Sequence, residues 1–123
     1  MGRESILKDK SFDFAVRIIN LYKYLKKRHN ECIISQQILK AGTSIGALIR
    51  EAEFAESSKD FIHKLHIGLK EANENVYWLQ LLYATGYINR RMFESMHKDA
   101  TQLLKMLISS VKTAKKQMIV KSE

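Results

Sequence analysis

The chain has 123 residues, no proline, a single cysteine and a formal net charge of +8, which predicts one domain of long uninterrupted helices. The lone thiol of Cys32 excludes an internal disulfide and favours a reducing compartment, the cytoplasm. The charged first residues lack a secretory apolar segment, and no apolar run is long enough to span a membrane.

The positive charge is concentrated at the two ends of the chain. Residues 1–30 carry eight Lys/Arg against three Asp/Glu, and residues 90–123 carry the same numbers. This distribution predicts an anionic partner, of which nucleic acid is the commonest. A solvated, lysine-rich surface without a ligand is the alternative.

A first helix is predicted over residues 11–28, with Asp9 or Ser11 near its start. Its apolar stripe, at spacings of 4, 3 and 4, consists of Phe14, Ile18, Leu21 and Leu25. Its last turn is crowded by Lys23, Lys26, Lys27 and Arg28. The helix dipole favours cations at that end, so the cluster has a structural explanation as well as a functional one.

A second helix is predicted from Ser35, as N-cap, to Glu56. Its apolar stripe consists of Ile38, Ala41, Ile45, Leu48, Ala52 and Ala55. Gly42 and Gly46 lie inside it, and a glycine there costs about 1 kcal/mol relative to alanine. We therefore expect a neighbouring helix to approach closely at these glycines.

A third helix is predicted from Ser57 to Tyr83, about 40 Å long, and a fourth from an Asn89 cap to about residue 116, with the following residues frayed. The stripe of the third is Ile62, Leu65, Leu69, Ala72, Val76, Leu79 and Tyr83. The stripe of the fourth is Phe93, Met96, Ala100, Leu103, Leu107, Ser110 and Ala114. Gly86 is the expected left-handed residue between them. The sequence thus predicts an all-α, up-down-up-down antiparallel four-helix bundle, one domain over residues 1–123 with its core about 9–116.

The fourth helix carries cations at every seventh position, along a line opposite its apolar stripe. The residues are Arg91, Lys98, Lys105 and Lys112, with Lys115 and Lys116 extending the basic end. We predict that they bind the nucleic-acid backbone in a salt-sensitive way, together with Lys23, Lys26 and Lys27 of the first helix. No aromatic residues alternate with the line, so base stacking is not indicated there.

Two helices have a second apolar face that a simple bundle does not require. On the first helix it consists of Phe12, Val16 and Ile19, and on the third of Tyr77, Trp78 and Leu81 beside Ile67. We predict that these faces form a homo-oligomer interface, since Trp and Tyr commonly anchor interfaces. A broad core that absorbs them is the alternative.

Nothing in the sequence resembles a catalytic, cofactor or metal site. Glu94 and His97 have the Glu-x-x-His spacing of metal-binding bundles, but only once and away from the apolar stripe. Cys32 and His29 are weak evidence for nucleophilic catalysis. We predict a non-enzymatic protein without a cofactor or metal.

Several segments together resemble a bacterial four-helix-bundle family encoded in intervening sequences of large-subunit rRNA genes and loosely labelled as ribosomal. They are Ala41-Gly42-Thr43-Ser44-Ile45, Arg50-Glu51-Ala52, Ser58-x-Asp60-Phe61, residues 69–74 (LKEANE), Tyr77-Trp78-Leu79 and residues 11–15 (SFDFA). The similarity covers about residues 11–115. Leu48 stands where that family commonly has Asn, and Asn75 where it commonly has Thr.

The resemblance implies a homopentameric ring without enzymatic activity, related to accessory proteins of diversity-generating retroelements, which bind a reverse transcriptase and nucleic acid. The leading hypothesis is therefore an oligomeric, basic, nucleic-acid-binding or scaffolding protein, with RNA favoured over DNA. The alternative is a protein-interaction module, such as a subunit that docks a reverse transcriptase without contacting nucleic acid itself.

Overall fold

The computed structural model describes residues 2–122 as four helices: α1 (Arg3–His29), α2 (Ile33–Glu53), α3 (Ser58–Ala84) and α4 (Arg90–Ser122). Consecutive helices pack against each other, and α1 also contacts α4. The connections are three to five residues long, which makes consecutive helices antiparallel. The predicted all-α four-helix bundle is confirmed, and the described part of the chain contains no strand.

Helix α1 begins at Arg3, eight residues before the predicted start at Ser11. Ser11 does not cap the helix: it is buried, and its hydroxyl donates to the carbonyl of Lys8 at 2.9 Å. The added turns also bury Leu7 in the core. The helix ends at His29 and is followed by Asn30, whose backbone is left-handed at φ 52°, a conformation that Asn tolerates well.

The start of α2 differs from the prediction. Ser35 is fully buried inside the helix rather than at its cap. The carboxylate of Glu31 caps the helix instead and accepts hydrogen bonds from the backbone N–H groups of Ile33, Ile34 and Ser35 at 3.0, 3.0 and 2.6 Å. A carboxylate accepts hydrogen bonds from the unpaired N–H groups of the first turn, and its negative charge also interacts favourably with the helix dipole.

The expected close approach is found at Gly42. A Cβ atom at this position would lie 2.8 Å from both Cγ1 and Cγ2 of Ile18, which is fully buried. At Gly46 the corresponding distance, to the hydroxyl of Ser11, is 3.4 Å. Glycine at position 42 therefore lets α1 and α2 pack closer than a side chain would allow.

The predicted boundaries of α3 and α4 are confirmed at three capping residues. The hydroxyl of Ser57 accepts from the amide of Asp60 at 3.1 Å. Gly86 is left-handed at φ 83°, and the side chain of Asn89 accepts from the amide of Met92 at 2.9 Å. The far end of α4 differs, because the helix continues to Ser122 instead of fraying after residue 116.

The core follows the predicted stripe on α1 but departs from it on the other helices. On α3 the buried residues are Ile62, Leu65, Gly68, Ala72, Asn75, Leu79 and Leu82. Leu69 and Val76, predicted at this line, are half-buried, and Tyr83 is 40% exposed. Likewise Ile49 replaces Leu48 on α2, and Val111 replaces Ser110 on α4. A strict alternation of threes and fours drifts about 20° per heptad from an ideal helix, which accounts for these shifts.

Candidate nucleic-acid interface and oligomer surface

The cations of α4 lie on the side of the helix that faces away from the core. The buried residues of this helix are Met96, Ala100, Leu103, Leu107 and Val111. The six cations, called the basic stripe below, are all exposed: Arg91, Lys98, Lys105, Lys112, Lys115 and Lys116. From the first to the fourth cation the stripe spans roughly 30 Å, a length that covers several phosphates of a nucleic-acid strand.

The acidic side chains of α4 that could neutralise the stripe are engaged elsewhere. Glu94 accepts from Arg90 at 2.8 Å, and this hydrogen bond raises the pKa of the Arg90 guanidinium. Asp99 forms an ion pair with Arg17 of α1. Among the described residues, no cation of the basic stripe takes part in an ion pair. The stripe therefore presents uncompensated positive charge to solvent.

The second predicted cluster lies in the last turns of α1. Lys23 and Lys27 are exposed, whereas Lys26 is half-buried, with its ammonium 5.6 Å from the ring centroid of Tyr22. This stacking over an aromatic face is an interaction that a cation makes without a ligand. The cluster is thus partly explained by the helix dipole and by Tyr22.

The fold brings this cluster close to the start of the basic stripe. His29 at the end of α1 contacts Tyr87 in the α3–α4 connection, with ring centroids 5.4 Å apart. Tyr24 of α1 and Met92 of α4 line one cavity of about 270 Å³ in the groove between the two helices. We call this part of the molecule the basic end; its cations are Lys23, Lys26, Lys27, Arg28, Arg90 and Arg91.

The predicted interface residues are unequally exposed. Phe12, Val16 and Tyr77 are 57%, 44% and 53% exposed, and Ile19 is also exposed. Trp78 and Leu81 are half-buried. The Trp78 ring packs against the core, and its N–H donates to the Glu74 carboxylate at 3.0 Å. The protomer itself therefore buries part of the Trp78 side chain, which the sequence analysis expected a second subunit to bury.

The two apolar faces point away from each other. The backbones of α1 and α3 do not come close to one another in the described structure, so these helices occupy one diagonal of the bundle. Their outward residues consequently lie on opposite sides of the protomer. Such a protomer can contact one neighbour through α1 and another through α3, in a head-to-tail manner.

No group of three His, Cys, Asp or Glu side chains among the described residues could hold a metal ion. Cys32 is an exposed free thiol, and its sulfur lies 3.7 Å from the carbonyl oxygen of Asn30. None of the described helices is long and apolar enough to cross a membrane.

Three features escaped the sequence reasoning. Arg28 and Arg90 belong to the basic end but were not among the predicted binding residues, because only the fold brings α1 and α4 together there. Asn75 is fully buried, although nothing in the apolar pattern of α3 identifies this polar residue as part of the core. Its side-chain oxygen has no hydrogen-bond partner among the described residues.

The comparisons with known proteins agree with the fold. A family model described as 23S rRNA-intervening sequence protein matches residues 3–109. A crystal structure of a protein with unknown function, from the S23 ribosomal protein family of Bacteroides thetaiotaomicron, is 56% identical with a TM-score of 0.88. The similarity covers 90% of this chain and 99% of that one. No protein of curated function is significantly similar to the chain.

Proposed function

We propose a function for this chain, which belongs to the 23S rRNA-intervening sequence protein family. In this proposal the chain is a non-enzymatic, ring-forming basic protein that binds nucleic acid, RNA in preference to DNA. The observation that carries the proposal is the basic stripe, whose cations are exposed and unpaired among the described residues. Contacts from such cations to phosphates release counterions, so the affinity falls steeply with salt.

The test is a quadruple variant of the stripe, Arg91→Gln, Lys98→Gln, Lys105→Gln and Lys112→Gln. It should bind RNA more weakly and with a shallower dependence on salt, while keeping its helix content, because all four side chains are exposed. Fluorescence anisotropy with rRNA fragments and duplex DNA at two salt concentrations measures both quantities.

A matched control removes the same charge from the other side of the molecule. Lys40→Gln, Arg50→Gln, Lys59→Gln and Lys70→Gln also change one arginine and three lysines, all exposed on α2 and α3. If this control loses as much affinity as the stripe variant, only the net charge matters. If the stripe variant binds as tightly as the parent, the stripe is solvated surface without a ligand.

The ring-forming part of the proposal rests on the two outward apolar faces. In the proposed ring, the α1 face of one protomer packs against the α3 face of the next, through Phe12, Val16 and Ile19 on the first and Tyr77, Trp78 and Leu81 on the second. Five subunits is the number that the family resemblance implies. Repetition round a ring would multiply weak phosphate contacts by avidity, so long ligands should gain more than short ones.

Phe12→Ser, on the most exposed apolar side chain of α1, should lower the oligomer mass in multi-angle light scattering without reducing helix content. Trp78→Ala should also lower the mass, with some loss of stability because the ring packs on the core. A parent protein that is monomeric at micromolar concentration would contradict the interface.

The second candidate function is a protein-interaction module, for example a subunit that docks a reverse transcriptase. The exposed apolar faces favour it, since they would serve another protein as well as a second copy. A parent protein that forms an oligomer but binds neither RNA nor DNA at low salt would decide for this candidate.

A further inference from the structure

An aromatic cluster centred on an exposed histidine lies at the basic end. The exposed ring of His29 contacts two tyrosines edge-on: Tyr24 at a centroid distance of 5.6 Å and Tyr87 at 5.4 Å. The two tyrosines are half-buried and pack against the core. The imidazole is therefore held by two anchored rings while it remains accessible to solvent.

Cations outnumber acidic side chains around this cluster. Lys27 and Arg28 precede His29 directly and are exposed, and Arg90 lies three residues beyond Tyr87. The two nearest acids in sequence, Glu31 and Glu94, are both engaged. Glu31 accepts three backbone N–H groups at the start of α2, and Glu94 accepts from Arg90.

We propose that this cluster is a binding site for an unpaired nucleotide, with the base stacked on the exposed face of His29, the ring held in place by Tyr24 and Tyr87, and the phosphates held by Lys27 and Arg28; the proposal rests on the nucleic-acid binding proposed above. Every base offers a π-face, so stacking of this kind is tolerant of sequence. The base must be unpaired, because in a duplex its faces are covered by its neighbours.

The site gives the molecule a selectivity that the basic stripe lacks. Phosphate contacts along α4 would serve duplex and single-stranded ligands alike, since they carry no information about pairing. The contact between His29 and Tyr87 places the aromatic cluster at the end of the molecule where the stripe begins. A strand lying along α4 can therefore reach the cluster with its end or with an unpaired loop.

The test compares a fluorescein-labelled single-stranded 15-mer with a duplex of equal length, as RNA and as DNA, by anisotropy with the full-length protein. His29→Ala should weaken single-strand binding about five- to tenfold, the lower part of the range for one lost stacking contact, and leave duplex binding unchanged. His63→Ala, which removes another exposed histidine on α3, should change neither affinity.

His29→Phe separates stacking from hydrogen bonding, because it keeps an aromatic ring and removes the two ring nitrogens; it should bind single strands about as tightly as the parent. A 2-aminopurine in the strand should lose fluorescence on binding to the parent and to His29→Phe, but not to His29→Ala. If His29→Ala binds single strands like the parent, weakens duplex binding equally, or behaves like His29→Phe, the nucleotide site is wrong. If the parent binds no nucleic acid of any kind, the proposed function fails with it.

Discussion

Replacing Asn75 by threonine should stabilise the bundle. Asn75 is fully buried on the core side of α3. Its amide nitrogen donates to the carbonyl of Glu71 at 3.4 Å, which is long for a hydrogen bond. The side-chain oxygen has no partner among the described residues. A buried polar atom without a partner costs about 1–3 kcal/mol of folding free energy.

Threonine removes the unpaired oxygen at nearly the same side-chain volume. Its hydroxyl can donate to the carbonyl four residues earlier, as Thr43, Thr85 and Thr101 do in this protein at 2.8, 2.6 and 2.9 Å. Helix propensities of Asn and Thr are similar. We therefore expect Asn75→Thr to raise the free energy of unfolding by about 1–2 kcal/mol, most of the penalty for the unpaired atom.

Urea unfolding followed by circular dichroism at 222 nm measures this change. Protein concentration must be the same for every variant, because self-association contributes to apparent stability. In thermal unfolding each kcal/mol should correspond to roughly 3–6 °C in Tm. Asn73→Thr is the control: Asn73 is exposed on the same helix, so its replacement should change stability by less than about 0.5 kcal/mol.

A stability loss of more than about 1 kcal/mol in Asn75→Thr, with Asn73→Thr neutral, would refute the reasoning. Such a result would mean that the Asn75 oxygen accepts a hydrogen bond in solution and that the amide belongs to a satisfied network. In that case Asn75→Asp would destabilise the protein more strongly still, since a buried charge is worse than a buried amide.

Three further changes test the packing, the electrostatics and the caps, each by urea unfolding. Gly42→Ala should destabilise by about 1–3 kcal/mol, because the new Cβ would lie 2.8 Å from Ile18; Gly46→Ala, with more space, should be tolerated better, and equal effects would contradict the close approach. Burial, with a smaller contribution from a neighbouring carboxylate, raises the pKa of Glu71. The ionised form of Glu71 therefore opposes folding at neutral pH, and Glu71→Gln should raise the free energy of unfolding at pH 7. This gain should disappear as the pH falls through the folded-state pKa to below 4.5. A gain that persists at pH 4 would point to another cause. Ser57→Ala should cost about 1 kcal/mol, since it removes the acceptor that caps α3; an unchanged midpoint would show that the cap contributes nothing.

The sequence predicts the helices well because their ends carry direct chemical signals. Ser57, Gly86 and Asn89 each act where the sequence places them. The start of α2 is the exception: Ser35 is a good cap residue by type, but Glu31 reaches the same N–H groups with a charged side chain. Residue type alone cannot tell which of two suitable acceptors lies at the helix end.

The buried line of α3 shows where periodicity stops being informative. The pattern chooses Leu69 and Val76 because they are apolar, whereas the packed helix buries their neighbours Gly68 and Asn75. A glycine and an amide do not look like core residues in a hydrophobic pattern, so they are passed over. The half-buried apolar residues beside them carry the signal that the pattern detects.

The candidate site is predictable to the extent that it lies on one helix. A seven-residue spacing places Arg91, Lys98, Lys105 and Lys112 on one line whatever the rest of the chain does, and all four are exposed. The basic end depends instead on a contact between residues 58 positions apart, His29 and Tyr87. No local pattern contains that information, and the aromatic cluster appears only once the helices are packed.

The arrangement of the four helices makes the proposed ring compatible with nucleic-acid binding by the basic stripe. The apolar faces lie on α1 and α3, which form one diagonal of the bundle, whereas the basic stripe lies on α4, which belongs to the other. In a ring closed by contacts between α1 and α3, the α4 side of every protomer would lie outside the contacts between subunits and would take the same position relative to the ring axis. Every basic stripe would then lie on the same side of the ring, and association would repeat the stripe without covering it.

Phe12→Ser should consequently weaken binding to a long RNA while leaving binding to a short one nearly unchanged, since avidity needs several stripes on one ligand. Equal weakening for both lengths would mean that the ring contact and the nucleic-acid contact share residues, and the assignment of the two functions to separate diagonals would be wrong.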